Sequence, residues 1–310
     1  MSQKIALLFA GQGAQYPGMG KDLAQASPST RPLLEQSRAL LGFDLPALCF
    51  NGPEEELTKT ENAQPAIFLV SWMALHLLRE RAPAFSFQAA AGLSLGEMTA
   101  LTAAGVFEFK DGLRLARQRG RFMQEACALT RGAMAAVLGL DLEKTRAVCA
   151  ETGVEVANLN CPGQIVISGE TEKITRACAL ARSRGARRAV ALPVAGAYHS
   201  RLMAGAGPKV RTLLASVPIN LPAVPVISNV TARPHTTPDA IAALLVKQVT
   251  SEVRWEDSMR YLLQQGFTRF IELGPGAALS GFLKRIDAQA QCFNIEDAAS
   301  LEETVRVCAS

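Results

Sequence analysis

The sequence has few of the residues that build metal sites, disulfide frameworks and nucleic-acid-binding surfaces. Only three histidines occur in 310 residues, and the seven cysteines are odd in number and include no Cys-x-x-Cys pair. This usage argues against a metal site and a disulfide framework, and it predicts reduced thiols in a cytoplasmic protein. Aromatic residues make up 6% and the formal net charge is +4. Both values are too low to favour nucleic acid as a partner.

Long hydrophobic runs are also missing. The first apolar run, residues 5–10, is too short for the core of a signal peptide and predicts a buried strand instead. The most apolar later stretch, residues 67–78, is interrupted by Ser71 and His76 and is too short to span a bilayer. Apolar residues nevertheless reach 49% of the chain, which is enough for a globular core. We therefore expect a soluble protein without membrane contact, and we predict a monomer.

Short apolar runs alternate with longer amphipathic ones along the chain. This alternation predicts an α/β protein with a largely parallel sheet covered by helices on both faces. The predicted strands are residues 5–10, 135–140, 154–159, 164–168, 189–194, 224–230 and 270–273. The predicted helices are residues 64–81 (with Pro65 in the first turn), 96–104, 111–128, 142–151, 171–184, 203–216, 238–248, 253–265 and 277–286.

The middle of the chain has a different order of elements. From residue 133 to 194 the pattern is β-α-β-β-α-β, typical of a ferredoxin-like subdomain, with Asn160-Cys161-Pro162-Gly163 as the turn between the central strands. We predict that residues 129–194 are inserted into a core formed by residues 1–128 and 195–310. A cleft between such units is a common place for a ligand.

A Gly-x-Ser-x-Gly sequence, Gly92-Leu93-Ser94-Leu95-Gly96, lies between a run of small residues and a helix-like run. This context is typical of a nucleophile elbow, in which close-packed glycines allow a strained turn that exposes the serine hydroxyl at a helix N-terminus. The motif is short, and a glycine-rich turn that happens to contain serine remains an alternative.

A serine nucleophile needs a base, and the choice is limited to the histidines. His76 lies in an apolar helix and His235 in a predicted surface turn, whereas His199 follows the last subdomain strand near the predicted cleft. Elimination and location therefore favour His199 as the base. The acidic residues considered between Ser94 and His199 include none at an evident strand end of the main sheet, so we favour a Ser–His dyad with a neutral orienting group.

Arg119 lies on the apolar stripe of its predicted helix. It follows Leu115 by one turn and precedes Phe122 and Met123 by one turn, whereas its neighbouring arginines share a solvated stripe. A buried guanidinium needs an acceptor, and a carboxylate gives it a planar bidentate pair. That acceptor is either an internal Asp or Glu or a carboxylate on the substrate, and the sequence leaves both open.

Several ordered blocks now point to a family. They are Phe9-Ala10-Gly11-Gln12-Gly13-Ala14-Gln15, Ala63-Gln64-Pro65-Ala66-Ile67, the elbow with Glu97, Arg119-Gly120-Arg121-Phe122-Met123-Gln124, Asn160-Cys161-Pro162-Gly163-Gln164, Gly196-Ala197-Tyr198-His199-Ser200, Ser228-Asn229-Val230-Thr231, Gln248 before Val253-Arg254-Trp255, and Glu272-Leu273-Gly274-Pro275-Gly276. In these blocks the chain resembles, nearly end to end, malonyl-CoA:acyl-carrier-protein transacylases and the related acyltransferase domains of polyketide and fatty-acid synthases.

The resemblance implies an α/β-hydrolase-like core with a ferredoxin-like insertion. It also implies roles for individual residues: Ser94 as the acylated nucleophile, His199 as its base, Gln248 as a residue that helps to orient His199, the backbone amides of Gln12 and Leu95 as the oxyanion hole, and Arg119 as the partner of the malonyl carboxylate. Leu93 stands where many members have histidine, and Tyr198 where many malonyl-selective members have phenylalanine. Because tyrosine is also bulky, we expect malonyl to be preferred over methylmalonyl.

The implied reaction is a ping-pong transfer for fatty-acid synthesis. Malonyl-CoA would acylate Ser94, and the phosphopantetheine thiol of an acyl carrier protein would take the group, with no cofactor. The alternatives are a trans-acting polyketide acyltransferase and a serine hydrolase that acts on carrier-protein thioesters. A third alternative, a docking module without activity, would have no need of Ser94.

An acidic carrier protein predicts a basic rim near the cleft. The candidates are Arg188, Lys284 and Arg285, with Arg182, Arg184 and Arg187 beside them in sequence or on the same subdomain edge. An ordinary solvated surface remains the alternative for each of them.

Overall fold

The computed structural model describes residues 4–309, which form two β-sheets and the helices around them. The strands are β1 (Ile5–Phe9), β2 (Ala89–Gly92), β3 (Gly132–Leu138), β4 (Glu155–Cys161), β5 (Gln164–Glu170), β6 (Arg188–Ala191), β7 (Val226–Ile227), β8 (Arg269–Leu273) and β9 (Gln291–Ile295). The helices are α1 (Lys21–Ala26), α2 (Arg31–Leu41), α3 (Leu45–Asn51), α4 (Glu54–Thr58), α5 (Thr60–Arg81), α6 (Leu95–Ala103), α7 (Phe109–Ala128), α8 (Leu142–Thr152), α9 (Thr171–Ser183), α10 (Ala206–Leu214), α11 (Pro238–Gln248), α12 (Trp255–Gln264), α13 (Ala278–Ile286) and α14 (Ala298–Ala309).

The larger sheet has five parallel strands in the order β7-β2-β1-β8-β9. Strand β1 is central, and its side chains alternate between the two faces. Leu7 and Phe9 pack with α5, α6 and α7, whereas Leu8 packs with α12 and α13 on the opposite face. The predicted parallel sheet with helices on both faces is therefore confirmed.

The smaller sheet has four antiparallel strands in the order β4-β5-β3-β6. The predicted order β-α-β-β-α-β is confirmed, because α8 lies between β3 and β4 and α9 between β5 and β6. Ile165 and Ile167 of β5 pack against α8 and α9, whereas Val166 points to the other face and joins the core cluster of the larger sheet. One face of the small sheet thus covers the core.

Two contacts tie the sheets together near the end where the candidate residues lie. The backbone of Val253, just before α12, donates to Ala157 at 2.8 Å and accepts from Leu159 at 2.9 Å, so it extends the pairing of β4. Arg285 of α13 donates to the carbonyl of Pro162 at 2.8 Å, in the turn between β4 and β5. The small sheet is therefore fixed over the larger one through its β4–β5 hairpin.

The start of the long helix α5 was predicted wrongly. Pro65 was assigned to the first turn, but the helix begins at Thr60 and contains Pro65 in its interior. Proline cannot donate to the carbonyl four residues earlier, which here belongs to Glu61. The Arg117 guanidinium donates to that carbonyl at 2.7 Å, so the acceptor is satisfied and the helix continues.

Several elements were not among the predictions. They are the short helices α1 to α4, the edge strand β9 and the helix α14. Within residues 4–309 the helices are all too short or too polar to cross a bilayer.

Candidate active site

Ser94 lies on the turn between β2 and α6. Its backbone has φ 51° and ψ −99°, a conformation that side-chain-bearing residues rarely adopt. A Cβ at Gly92 would lie 2.0 Å from the Gly96 carbonyl, and one at Gly96 would lie 2.1 Å from the carbonyl oxygen of Phe9. Only glycine fits at either position, so the elbow geometry follows directly from this spacing. The Ser94 amide donates to Oδ1 of Asn229 at 2.7 Å, which fixes the strained turn.

His199 is the histidine beside this serine. Its Nε2 lies 2.8 Å from Ser94 Oγ, and its Nδ1 lies 2.9 Å from the backbone carbonyl of Gln248. A carbonyl can only accept, so Nδ1 carries the proton and Nε2 is free to accept from the serine hydroxyl. The pair is arranged as a nucleophile and its base, and the orienting group is neutral.

Burial and the nearby Arg119 charge lower the pKa of His199 to about 4. The imidazole is 4% exposed, so its charged form is poorly solvated. At neutral pH the ring is therefore uncharged, as a base must be before it takes a proton.

Backbone strain is concentrated at the same two residues. In residues 4–309, the non-glycine residues with positive φ are Ser94, His199 and Ala232. Such strain persists only where the surrounding structure over-determines it, and it is common at functional sites. Two of the three positions are the nucleophile candidate and the base candidate.

Arg119 of α7 contacts the same serine from the side of the core. Its Nη2 donates to Ser94 Oγ at 3.1 Å and to Gln248 Oε1 at 2.8 Å, and its Nη1 donates to Gln64 Oε1 at 2.7 Å. All of these acceptors are neutral, although the side chain is buried. Burial lowers the pKa of Arg119 to about 10, a value at which the guanidinium still carries its charge at neutral pH.

Arg119 has unused capacity as a donor. Among the described residues its Nε has no hydrogen-bond partner, and it forms no ion pair with a carboxylate. The internal Asp or Glu partner left open by the sequence is therefore not in contact with it. A buried charge held only by neutral groups is suited to a carboxylate that arrives with a ligand.

Gln248 touches the site through both its backbone and its side chain. The backbone carbonyl, rather than the side chain, orients His199. The side-chain amide donates to the Ser94 carbonyl at 3.0 Å, to Glu97 Oε2 at 2.6 Å and to Asn229 Oδ1 at 3.2 Å, while its oxygen accepts from Arg119. The amide therefore lies between the arginine and a layer of polar groups below it.

The surface position predicted for His235 is wrong. The turn that carries it folds back on β7, with the His235 amide donating to the Val226 carbonyl at 2.9 Å. Its side chain is fully buried, and Nε2 lies 2.7 Å from Oε1 of Glu97, which is also fully buried. His76 is not enclosed by its apolar helix either, because it is partly exposed and contacts Ser29 Oγ at 2.9 Å.

The polar residues beneath Ser94 have no role predicted from the sequence. Gln64, Asn229 and Glu97 all stand in the sequence blocks described above, yet the blocks alone give no pairing between them. The sequence signal that was available is their position within or beside apolar runs, where an unpaired polar group would be costly. The structure buries all three.

The amides predicted to form an oxyanion hole come from two different segments, the start of α6 and the loop after β1. Leu95 is the first residue of α6, so its N–H precedes the intrahelical hydrogen bonds and faces the region of positive helix potential. Gln12 follows β1 and lines the cavity next to Ser94. The Gln12 side chain donates to Thr60 Oγ1 at 3.2 Å, which holds the loop against α5.

A cavity of about 250 Å³ opens onto Ser94 and His199 between the two sheets. The antiparallel sheet and the segment after it contribute apolar side chains to its wall: Met134, Val166, Leu192 and Val194. The core contributes Gln12, Leu93, Met123, Phe282 and Tyr198. Tyr198 is 6% exposed, and its hydroxyl is hydrogen-bonded to Thr60 Oγ1. The ring is thus fixed at the base of the cavity beside His199.

The candidate docking residues Arg188, Lys284 and Arg285 are exposed. Arg188 pairs with Leu138 across the small sheet, next to the Gly139 turn. Arg285 donates to Gln164 Oε1 at 2.6 Å and approaches Gly163, whose amide carbonyl accepts from Gly139. Lys284 is the exposed neighbour of Arg285. In contrast, Arg182 and Arg184 are partnered by the Ala189 carbonyl and by Glu151.

None of the seven cysteines lines the cavity. Burial raises the pKa of the Cys49, Cys149 and Cys292 thiols to about 12, so these cysteines are protonated at neutral pH. No cluster of three or more metal-ligating side chains occurs in the part of the chain that is described.

Comparison with known proteins gives consistent matches over nearly the whole chain. Residues 6–303 match the model of the acyl transferase domain. A curated relative, the malonyl CoA-acyl carrier protein transacylase of Bacillus subtilis (strain 168), is 43% identical over 308 residues, which cover 98% of this chain and 96% of the relative.

Solved structures agree with this match. The malonyl CoA-acyl carrier protein transacylase from Coxiella burnetii has a TM-score of 0.96 and 34% identity, over 99% of this chain and 98% of that one. A malonyl-transacylase solved in complex with a type II PKS acyl-carrier protein has a TM-score of 0.95 and 37% identity, over 98% of this chain and 100% of that one.

Proposed function

The chain belongs to the acyl transferase domain family, among the malonyl CoA-acyl carrier protein transacylases, and on that premise we propose how its residues carry out the transfer. The reaction moves a malonyl group from malonyl-CoA to the phosphopantetheine thiol of an acyl carrier protein. Ser94 holds the group between the two steps. We assign the reaction to fatty-acid synthesis, and malonyl-CoA and the holo acyl carrier protein are substrates rather than cofactors.

The buried, neutral surroundings of Arg119 carry this proposal. A guanidinium that donates only to amide and hydroxyl oxygens, with Nε unpaired, lacks the directly contacting counter-charge that usually accompanies burial. The free carboxylate of a malonyl group supplies that charge and matches the planar donor geometry. Because Nη2 is 3.1 Å from Ser94 Oγ, the carboxylate would be bound within reach of the attacking oxygen.

In the first step, the Ser94 hydroxyl attacks the thioester carbonyl of malonyl-CoA while His199 Nε2 takes its proton. The tetrahedral oxyanion would accept from the Leu95 and Gln12 amides, which would stabilise the charge as it develops. As the C–S bond breaks, the proton held by His199 passes to the departing thiolate, and free CoA leaves.

In the second step, the same groups act in reverse. His199 removes the proton from the phosphopantetheine thiol, whose sulfur attacks the malonyl-serine ester. The oxyanion forms again in the same place, and His199 returns the proton to Ser94 as the ester bond breaks. Together the two half-reactions exchange one thiol for another, so the enzyme ends unchanged.

The residues around the acyl site favour malonyl over methylmalonyl. The Tyr198 ring is buried, and its bond to Thr60 fixes it beside His199, where an α-methyl group would need space. Leu93, which stands where many family members have histidine, lines the cavity as an apolar side chain. We therefore propose that the departure at Leu93 affects only a secondary contact.

We further propose that the two sheets correspond to an α/β-hydrolase-like core and a ferredoxin-like insertion, with residues 129–194 as the inserted part and residues 1–128 and 195–310 as the core. The small sheet's strand order, with two helices on one face, supports this description. The cytoplasmic location and the monomeric state stay predictions.

A transfer assay tests the proposed function. Malonyl-, methylmalonyl- and acetyl-CoA are each offered with holo acyl carrier protein to the wild type and to Arg119→Ala. We expect malonyl transfer by the wild type, and a larger loss of malonyl than of acetyl transfer in the variant. An equal loss for both acyl groups would refute the role of Arg119.

The hydrolase alternative fits the site less well. A neutral acyl chain would leave the Arg119 guanidinium without a counter-charge in direct contact. The polyketide alternative uses the same chemistry and is not favoured by the comparisons.

A further inference from the structure

The fully buried carboxylate of Glu97 connects the polar groups beneath the site. Its Oε1 accepts from His235 Nε2 at 2.7 Å, and its Oε2 accepts from Gln248 Nε2 at 2.6 Å and from the Asn229 amide at 3.0 Å. Glu97 does not line the cavity, so a substrate does not touch it. Any influence on the reaction must pass through its neighbours.

The contact with Gln248 determines which way the side-chain amide faces. A carboxylate can only accept hydrogen bonds, so the NH₂ end of Gln248 must face Glu97. The oxygen end then faces Arg119 and accepts from Nη2 at 2.8 Å. If the amide were reversed, its NH₂ group would face the donors of the guanidinium and its oxygen would face the carboxylate.

Glu97 also supplies negative charge in this part of the core. The groups in contact with Arg119 are neutral, and Glu97 is linked to it through Gln248. The Glu97 charge raises the pKa of Arg119 and so opposes the lowering caused by burial. His235 in turn anchors the other oxygen of the carboxylate.

We propose that Glu97 is a positioning residue that fixes the orientation of the Gln248 amide and, through it, holds the Arg119 guanidinium over Ser94. This inference rests on the proposed function, because it assigns Glu97 an effect on acyl groups that carry a carboxylate. Acyl groups without one offer Arg119 no carboxylate to bind and should depend on Glu97 much less.

A purely structural role makes a different prediction. Glu97 also accepts from the Asn229 amide, and the Asn229 side chain supports the Ser94 turn. If support of the turn were its only contribution, substitution would slow acylation of Ser94 by every acyl group to the same extent. The ratio of malonyl to acetyl acylation therefore separates the two roles.

The test compares two substitutions of similar size. Glu97→Met removes the acceptor, whereas Glu97→Gln keeps one oxygen that can accept from Gln248. Acylation rates of Ser94 with malonyl-CoA and with acetyl-CoA are measured by intact-protein mass spectrometry. We expect Glu97→Met to lower the malonyl-to-acetyl ratio about tenfold or more, as displaced positioning groups do, and Glu97→Gln to retain most of it.

A double-mutant cycle identifies the route of the effect. If Glu97 acts through Arg119, Glu97→Met should not lower the ratio further in an Arg119→Ala background. Gln248→Met, which removes the amide and leaves Glu97 in place, should lower the ratio as Glu97→Met does. This variant decides the question if Glu97→Met does not fold.

Several results would overturn the inference. They are an unchanged ratio in Glu97→Met or in Gln248→Met, a ratio in Glu97→Gln as low as in Glu97→Met, and an additional loss in the double mutant. A wild type that malonyl-CoA does not acylate would instead refute the proposed function, and this inference with it. The wild-type measurement therefore distinguishes the two failures.

Discussion

Ser94 lies between two regions of opposite character. Below it, the parallel-sheet core contains buried polar groups in mutual contact: Gln64, Glu97, Arg119, Asn229, His235 and Gln248. Above it, the antiparallel sheet and its exit segment present mainly apolar side chains to the cavity, together with Asn158 and Asn160 of β4. The polar region provides charge and orientation at fixed points, and the mainly apolar wall lowers the local dielectric, so that these charges are screened less than in water.

The two regions therefore have different tasks: the core carries out the chemistry, and the small sheet encloses the substrate. Substitutions in the polar region should alter which bonds are made and broken, whereas substitutions on the small sheet should alter how a partner is received. A loss of chemistry caused by a substitution on the small sheet, or a loss of partner binding caused by one in the polar core, would weaken this division.

The largest effect is expected at the nucleophile and base. Ser94→Ala and His199→Ala should each lower malonyl transfer by about 10³-fold or more, because the two residues act as one unit. Transfer is measured with holo acyl carrier protein, and Ser183→Ala, on the exposed end of α9, is the matched serine control. Normal turnover by Ser94→Ala would mean that the chemistry is elsewhere.

A lysine in place of Arg119 should not restore malonyl transfer. The ammonium group keeps the charge but cannot donate to Gln64, Gln248 and a substrate carboxylate in one plane. We expect about 10²-fold lower kcat/KM for malonyl-CoA in Arg119→Lys, with a smaller change for acetyl-CoA. A lysine variant as active as the wild type would show that charge alone is sufficient.

The pH dependence should reflect the burial of His199. Because its folded-state pKa is lowered to about 4, the imidazole stays neutral, and kcat/KM should fall only as pH drops towards that value. Removing the Arg119 charge removes one cause of the lowering, so the acid limb with acetyl-CoA should move to higher pH in Arg119→Ala. An acid limb near the ordinary histidine pKa in the wild type would contradict this account.

His199 also makes the stability of the folded protein depend on pH, and the direction of that dependence is defined. In the unfolded chain His199 binds its proton at a higher pH than in the folded protein. The contribution of the neutral, buried ring to the free energy of unfolding is therefore present above the ordinary histidine pKa. It is lost as pH falls towards about 4. Thermal unfolding should accordingly occur at lower temperature as pH decreases through that window, and less so in His199→Gln.

The smallest effect is expected on the basic rim. Arg188→Glu and Lys284→Glu should raise KM for the carrier protein several-fold and leave KM for malonyl-CoA unchanged, because rim charges mainly steer association. Arg38→Glu is the matched control, since Arg38 is an exposed arginine of α2, outside the candidate rim, that is paired with Asp44. An unchanged KM for the carrier protein in both rim variants would remove the docking assignment.

The parts of the site that depend on local sequence could be predicted. The glycine spacing around Ser94 requires an elbow, and the position of Arg119 on an apolar stripe requires burial. The pairing of distant residues could not be predicted in the same way. His235 looked like a turn residue because its partner, Glu97, lies on a helix far away in the chain, and only the folding of the turn onto β7 brings them together.

The helix start at Thr60 illustrates the same limit. Proline inside a helix normally marks an end, and the sequence near Pro65 was interpreted accordingly. The compensating donor, Arg117, belongs to a different helix and contacts the freed carbonyl of Glu61 only in the packed core. Local propensity was overridden by a tertiary contact that no local pattern encodes.

The most direct test of the account is the fate of the acyl group on Ser94. Intact-protein mass spectrometry after mixing with malonyl-CoA, without carrier protein, should show one malonyl group on the wild type and none on Ser94→Ala. The adduct should persist and then disappear when holo acyl carrier protein is added. Absence of the adduct, or its loss to free malonate at the same rate without the carrier protein, would contradict the assignment of Ser94 as a carrier of malonyl between two thiols.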